Sequence, residues 1–283
     1  MQKKIVAIGG GMIGEAKTDG TKYPYETYLF DKEIVSLSGK KQPNILFIGL
    51  ADINYSNEYF GYFRNIYENV FSCNCKHLSV DILSNTLKVN ELFKWTDIIY
   101  VGGGNTYTLM NYLMQYNIDS RLYDSYNQGK VMCGISAGAM CWFQYGNSII
   151  PDVVKKSGKI DLIKQKCLGF ENLVFVPHCD EINGHFENVQ NLLLNEKMVA
   201  ISLSNCSCIE IVDNKYRILR EENNMYGISP FAIKSYWLNN EYHIENIDIN
   251  ENFELLDNLL EIKNSERNIS DNVKKLLKRR KLM

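Results

Sequence analysis

Short apolar runs rich in valine and isoleucine alternate along this chain with longer stretches whose apolar positions recur every three to four residues. The runs Lys4–Ile8, Asn44–Ile48, Lys76–Val80, Asp97–Val101, Lys130–Ile135 and Leu173–Val176 read as strands. The stretches Asn57–Phe71, Val89–Trp95, Thr106–Gln115, Arg121–Gln128, Ala137–Gln144 and Phe186–Asn195 read as helices. The strands are continuously apolar rather than alternating, as expected when helices cover both faces of a sheet. The strand–helix alternation therefore predicts an α/β fold built on a mostly parallel, doubly wound sheet.

The pattern changes after about Val199. Ser207–Val212 and Tyr216–Leu219 flank Asp213-Asn214-Lys215, and Ala232–Trp237 and Tyr242–Ile247 flank Leu238-Asn239-Asn240-Glu241, so two hairpins are predicted. From Asn250 the chain is rich in Asn, Glu and Lys and ends in a predicted short helix. The expected organisation is an α/β domain over residues 1–222, with a hairpin and helical tail over 223–283 packed on or extending it.

Composition narrows the function classes. The 283 residues are 45% hydrophobic and carry a net charge of -2, which is not the basic footprint of a nucleic-acid binder. The one basic cluster, Lys274, Lys275, Lys278, Arg279, Arg280 and Lys281, reads as a solvated terminal helix. No apolar stretch approaches the roughly 18 residues of a membrane span, and the start lacks the long apolar run of a signal peptide. A soluble, cytoplasmic protein with no membrane partner is expected. The eight cysteines are then expected to be reduced. The Cys-x-Cys pairs Cys73/Cys75 and Cys206/Cys208 lack zinc-knuckle spacing and read as buried strand thiols, so no metal is implied.

Three glycine-rich turns carry the candidate chemistry. Gly9-Gly10-Gly11-Met12-Ile13-Gly14 follows a strand and matches G-x-G-x-x-G, with Asp31 and Glu33 about twenty residues on. A dinucleotide site needs a helix to begin inside that motif. Here the chain continues as Lys17-Thr18-Asp19-Gly20-Thr21-Lys22-Tyr23-Pro24, a loop, so no nicotinamide cofactor is implied. Gly102-Gly103-Gly104-Asn105-Thr106 follows a strand and opens a helix. Its backbone N–H groups and helix N-terminus suit a phosphate or a developing oxyanion. Gly134-Ile135-Ser136-Ala137-Gly138 lies between a strand and a helix, the context of a nucleophile elbow. There Ser136 projects its hydroxyl above the sheet, small neighbours prevent clashes, and the Ala137 N–H points where an oxyanion forms.

A serine nucleophile needs a base that is neutral near pH 7, and histidine supplies it. Of four histidines, His77 and His243 lie in predicted strands and read as structural. His178, in Pro177-His178-Cys179-Asp180, follows a strand at the sheet edge where ligand and catalytic groups of open α/β sheets gather. His185 is the reserve candidate.

These motifs, in this order and spacing, resemble the peptidase E family of aspartyl dipeptidases. Besides the three turns and Pro177-His178-x-Asp180, the likeness includes the opening strand into Gly9-Gly10-Gly11 and the run Phe30-Asp31-Lys32-Glu33-Ile34-Val35. The resemblance covers about residues 4 to 220. It implies a three-layer fold like that of class I glutamine amidotransferases, with serine in place of their cysteine; the hairpin pattern beyond it reads as a β-rich C-terminal extension. It implies Ser136 as nucleophile, His178 as general base, and Gly104 and Ala137 N–H groups as oxyanion hole. Gly103, Asn105, Asp180 and His185 are implied as substrate contacts. The implied substrate is a dipeptide or short peptide, cleaved through an acyl-enzyme with no metal or cofactor, and a homodimer is the candidate assembly.

Three positions depart from the family pattern. Asn205 stands where the third triad member is a Glu or Asp; asparagine orients an imidazole but gives imidazolium no charge, and Asp180 and Glu210 are the acids at hand. His185 stands where an arginine clamps the substrate's acidic side chain, which weakens the expectation of an aspartyl preference. Ser148-Ile149-Ile150 replaces a Ser-Asp-Ser run. A weak or inactive relative that binds a small ligand in the same cleft, and a cyanophycinase-like peptidase, are the alternatives.

Overall fold

Fourteen strands are found among the described residues of the computed structural model, which are 1–17, 19–157, 162–181, 185–222, 224–225, 227, 229–263, 269 and 273–274. They are β1 (Lys4–Ile8), β2 (Asn44–Ile48), β3 (Asn74–Leu78), β4 (Ile98–Val101), β5 (Val131–Ile135), β6 (Phe143–Ser148), β7 (Ile163–Lys166), β8 (Glu171–Val176), β9 (Ala200–Leu203), β10 (Ser207–Val212), β11 (Lys215–Arg220), β12 (Ala232–Leu238), β13 (Glu241–Ile247) and β14 (Asn250–Leu255). The main sheet runs β14-β11-β10-β1-β5-β4-β2-β3, and a second sheet runs β13-β12-β9-β8-β6-β7. In the main sheet β1, β5, β4, β2 and β3 are parallel, and β10 returns antiparallel beside β1.

Alternate residues of each strand enter different cores, which explains why the runs are apolar throughout. Val6 and Ile8 pack with Phe30 and Ile34 of α1 (Tyr28–Leu37) and Phe63 and Tyr67 of α2 (Ser56–Asn69). Ile5 and Ala7 face the other way. They share a core with Val89 of α3 (Thr86–Trp95), Leu109 of α4 (Thr106–Gln115), Leu122 of α5 (Ile118–Asn127), and Phe175 and Ile201 of the second sheet. Helices on both faces of the main sheet give the three-layer α/β sandwich. The far face of the second sheet, with Val174, Val176 and Ile233, forms a third core.

Several elements differ from the sequence reading. The helix predicted over Ala137–Gln144 stops after one turn, α6 (Ala137–Met140), and β6 begins at Phe143. Residues 139–143 are fully buried, so their apolar run carries no period that separates helix from strand. The helix predicted over Phe186–Asn195 shortens to a 3-10 turn, His185–Asn188, and Val189–Leu192. Leu173–Val176, read as part of the parallel main sheet, lies in β8 of the second sheet. The strands beyond residue 222 divide between the sheets, β12 and β13 beside β9 and β14 beside β11. The predicted terminal helix and most of its basic cluster fall outside the described residues, of which Val273 and Lys274 are helical. Among the described residues no helix is long and apolar enough to cross a membrane.

Candidate active site

Sheet register brings the candidate loops together. Val101 of β4 and Ala7 of β1 both pair with Gly134 of β5, and Ile8 pairs with Ile135 on one side and Cys208 on the other. The turns after β1, β4 and β5 and the turn before β10 therefore leave the same sheet edge side by side. Consecutive carbonyls at the end of β1 hold the two principal residues: Ile8 O accepts from Ser136 N at 3.1 Å, and Gly9 O accepts from His178 N at 3.1 Å. Gly10 O in turn accepts from Cys206 N at 2.9 Å. So β8 delivers His178 to the main-sheet edge although it belongs to the other sheet.

Ser136 sits on the sharp turn that the elbow reading requires. Its φ of 54° and ψ of -117° are rare for a residue with a side chain, and such strain persists only where the surroundings over-determine it. His178 and Cys206 also have positive φ, at 51° and 59°, so three strained non-glycine residues meet at this edge. The small residues flanking the serine are demanded by backbone, not by flexible side chains. A Cβ on Gly138 would lie 2.0 Å from the Val101 carbonyl oxygen, and one on Gly134 would lie 2.5 Å from that of Gly138. A Cβ on Gly103 would stand 3.5 Å from the Ser136 Cβ, so the triple-glycine loop lies directly against the serine. Among the described residues, neither the Gly104 nor the Ala137 backbone N–H donates to a protein acceptor.

His178 is held through Nδ1. Asn205 Oδ1 lies 2.8 Å away and Glu181 Oε1 lies 3.2 Å away. Asn205 is itself fixed by Asp180, whose Oδ1 accepts from the Asn205 backbone N–H at 2.8 Å. The Asn205 Nδ2 donates to the two Asp180 oxygens at 3.3 and 3.2 Å and to Glu181 Oε1 at 3.2 Å. Burial opposes charge on the imidazole. The Glu181 hydrogen bond and charge, the Asn205 hydrogen bond and the Asp180 charge outweigh it, so the His178 pKa is raised above its ordinary 6.5.

The other candidates fall as follows. Asn105 caps α4, accepting from Thr108 N at 2.8 Å and donating to Ile149 O at 3.1 Å. Both ends of its amide are thus engaged with backbone, so its side chain caps the helix that the triple-glycine loop opens. Ser148 supports the same helix end, accepting from Tyr107 N at 3.0 Å. Asp180 faces Asn205. Glu210 is fully buried and paired with Arg217 at 2.8 Å, which in turn reaches Glu33 at 2.9 Å. His185 opens the 3-10 turn, and its side chain lies outside the described residues. His77 contacts Ser56 Oγ at 2.9 Å and stacks on Phe60, and burial pushes its pKa down to about 4. His243 is buried and stacked on Tyr236. The eight cysteines are free, and all but Cys75 are buried.

Sequence reading missed two contributors. The first glycine turn is followed by loop, as read, with α1 beginning only at Tyr28. A Cβ on Gly10 would lie 2.0 Å from Asn205 Oδ1 and 2.5 Å from His178 Cε1, so this turn backs the histidine. Glu181 is the second; the sequence signal for it is a further acid directly after Pro177-His178-x-Asp180. The triple-glycine loop that lies against the serine also lines a cavity of about 260 Å³, below the roughly 300–1,000 Å³ of drug-sized pockets. Gly103 and Gly104 form one wall, and Glu15, Asp52, Tyr55, Tyr59 and Tyr62 contribute to the others.

Comparison with known proteins bears on the family and the fold. Residues 13–219 match peptidase family S51. The uncharacterized peptidase YgaJ of Bacillus subtilis (strain 168) is 32% identical over 186 residues, covering 63% of this chain and 69% of the relative. Peptidase E of Nostoc sp. (strain PCC 7120 / SAG 25.82 / UTEX 2576) is 23% identical over 212 residues, 69% of this chain and 80% of that protein. The crystal structure of a peptidase from an acI-B1 Actinobacterium superposes with a TM-score of 0.64 over 90% of this chain and 97% of the other. At 16% identity that likeness shows the fold.

Proposed function

Because the chain belongs to peptidase family S51, the peptidase E family, we propose that it is a serine peptidase of the dipeptidase E type in which Ser136 and His178 carry out acyl transfer. The observation that carries this reading is the anchoring of both backbones on the consecutive carbonyls of Ile8 and Gly9, where β1 ends, with the triple-glycine loop against the serine. His178 Nε2 takes the Ser136 Oγ proton as Oγ attacks the scissile carbonyl carbon. The carbonyl π electrons move to oxygen, where the Gly104 and Ala137 N–H groups receive the oxyanion. The imidazolium then gives its proton to the leaving amine as the C–N bond breaks. Water, deprotonated by the same base, hydrolyses the ester and restores Ser136.

The small cavity supports a dipeptide or short peptide as substrate. Among the described residues its lining contains the carboxylates of Glu15 and Asp52 and no lysine or arginine. An aspartyl side chain entering there would meet like charge, whereas a free α-ammonium group would meet two carboxylates and three tyrosine rings. We therefore favour substrates with a positive group near the scissile bond over acidic ones. The test is hydrolysis of a dipeptide panel, acidic, neutral and basic, by wild type and Ser136→Ala. Loss of the nucleophile is expected to lower turnover by about a millionfold. Equal cleavage by the two proteins would remove Ser136 from the mechanism.

A further inference from the structure

We infer that Asp180 and Glu181 are positioning residues for His178, Asp180 acting through the Asn205 amide and Glu181 directly, so that this site replaces the single acid of a triad with an asparagine backed by two carboxylates. The inference rests on the Ser136–His178 reading above.

The hydrogen-bond polarity fixes the argument. A carboxylate only accepts, so an Asn205 amide 3.2–3.3 Å from both Asp180 oxygens must turn its NH₂ group toward Asp180. Its Oδ1 then faces His178 Nδ1 at 2.8 Å. An acceptor there requires the tautomer with the proton on Nδ1, which leaves the Nε2 lone pair for the Ser136 proton. The backbone bond from Asn205 N to Asp180 Oδ1, 2.8 Å, holds the two residues at fixed separation. Asparagine by itself offers imidazolium a dipole and no charge. Glu181 Oε1, 3.2 Å from the same Nδ1, and Asp180 behind the amide supply the charge. Glu181 and Asp180 are charged groups that act on His178 among the described residues, and the Gly9 carbonyl after β1 accepts from its backbone N–H.

Three variants of the full chain test this: Asp180→Asn, Glu181→Gln and the exchange Asp180→Asn with Asn205→Asp. The exchange keeps a hydrogen bond between positions 180 and 205 and one from His178 Nδ1, gives up the one from Asn205 Nδ2 to Glu181, and reverses the polarity of the amide–carboxylate contact, placing the carboxylate directly on Nδ1. Two readouts apply: the rate of Ser136 modification by a fluorophosphonate from pH 5 to 9, and the His178 imidazole pKa by NMR in a Ser136→Ala background. Glu181→Gln is expected to lower the imidazole pKa and the acid limb together by about half a pH unit, a modest shift because Glu181 is partly solvated. Asp180→Asn frees the Asn205 amide to rotate and is expected to slow modification by roughly 10- to 100-fold. The exchange is expected to recover most of that loss, a rescue that a purely structural role for Asp180 does not produce. An unchanged imidazole pKa in Glu181→Gln together with an exchange variant no faster than Asp180→Asn would overturn the inference. If fluorophosphonate leaves wild-type Ser136 unmodified, the serine-peptidase reading fails instead. The NMR measurement, which needs no serine, still reports whether the two acids hold His178.

Discussion

Adding one methyl group to the first glycine turn, Gly10→Ala, perturbs the His178–Asn205 pair from a residue that itself supplies no chemical group to the proposed reaction. Its Cβ would lie 2.0 Å from Asn205 Oδ1, 2.5 Å from His178 Cε1 and 2.6 Å from His178 Nδ1. Non-bonded carbon contacts of this kind are not found below 3.0 Å, so Asn205, His178 or the turn must move by about 1 Å. Whichever moves, the 2.8 Å bond between Nδ1 and Oδ1 is distorted. A misplacement of about 1 Å at a catalytic group costs on the order of 100-fold in rate. The fold should bear it more lightly: one strained or broken hydrogen bond is worth about 0.5–1.5 kcal/mol, a fall of a few degrees in Tm. The assay is the second-order rate of fluorophosphonate modification, with kcat/KM on the best dipeptide and thermal melting of the same samples. A Gly10→Ala protein that melts normally and reacts within twofold of wild type would refute the packing of this turn against the histidine.

Three further outcomes follow from single contacts. Asn105→Ala removes the α4 cap and the tie to Ile149; a loss of about 1 kcal/mol in urea unfolding is expected, and no change in stability would contradict the capping role. His77, with its folded pKa at about 4 against an ordinary 6.5, binds protons better when unfolded. It therefore contributes stability that is present above pH 6.5 and lost as pH falls toward 4. His77→Gln should flatten the stability profile in that window, and an unchanged slope in urea melts would rule this out. His178, raised above 6.5, must be neutral to act as a base, so the acid limb of kcat/KM should lie above pH 6.5; a limb at or below 6.5 would contradict the balance of forces on the imidazole.

The parts of the site that were legible in sequence are those whose physics is local. The Gly134–Gly138 turn is recognisable because the crowding around it comes from backbone, the Val101 carbonyl and the turn's own atoms, and only small residues satisfy that at fixed spacing. Likewise Gly102-Gly103-Gly104-Asn105 announces a helix start because Asn105 is the cap. What stayed hidden depends on chain segments far apart. β8 belongs to a second sheet that residues 139–143 conceal, since a run buried on all sides has no readable period. The His178–Asn205–Asp180 arrangement joins the loop after β8 to the turn before β10, 25 residues apart, and no local pattern sets which acid faces which amide. Glu210 looked equally eligible in sequence, yet strand alternation places it in the sheet interior with Arg217.

The central claim is that Ser136 is an activated nucleophile. Intact-mass measurement after reaction with a fluorophosphonate, followed by peptide mapping, tests it most directly. The account expects one adduct per chain, located on Ser136, absent in Ser136→Ala and formed far more slowly in His178→Gln. A chain that takes up no adduct, or one that labels equally well after Ser136→Ala, would contradict it.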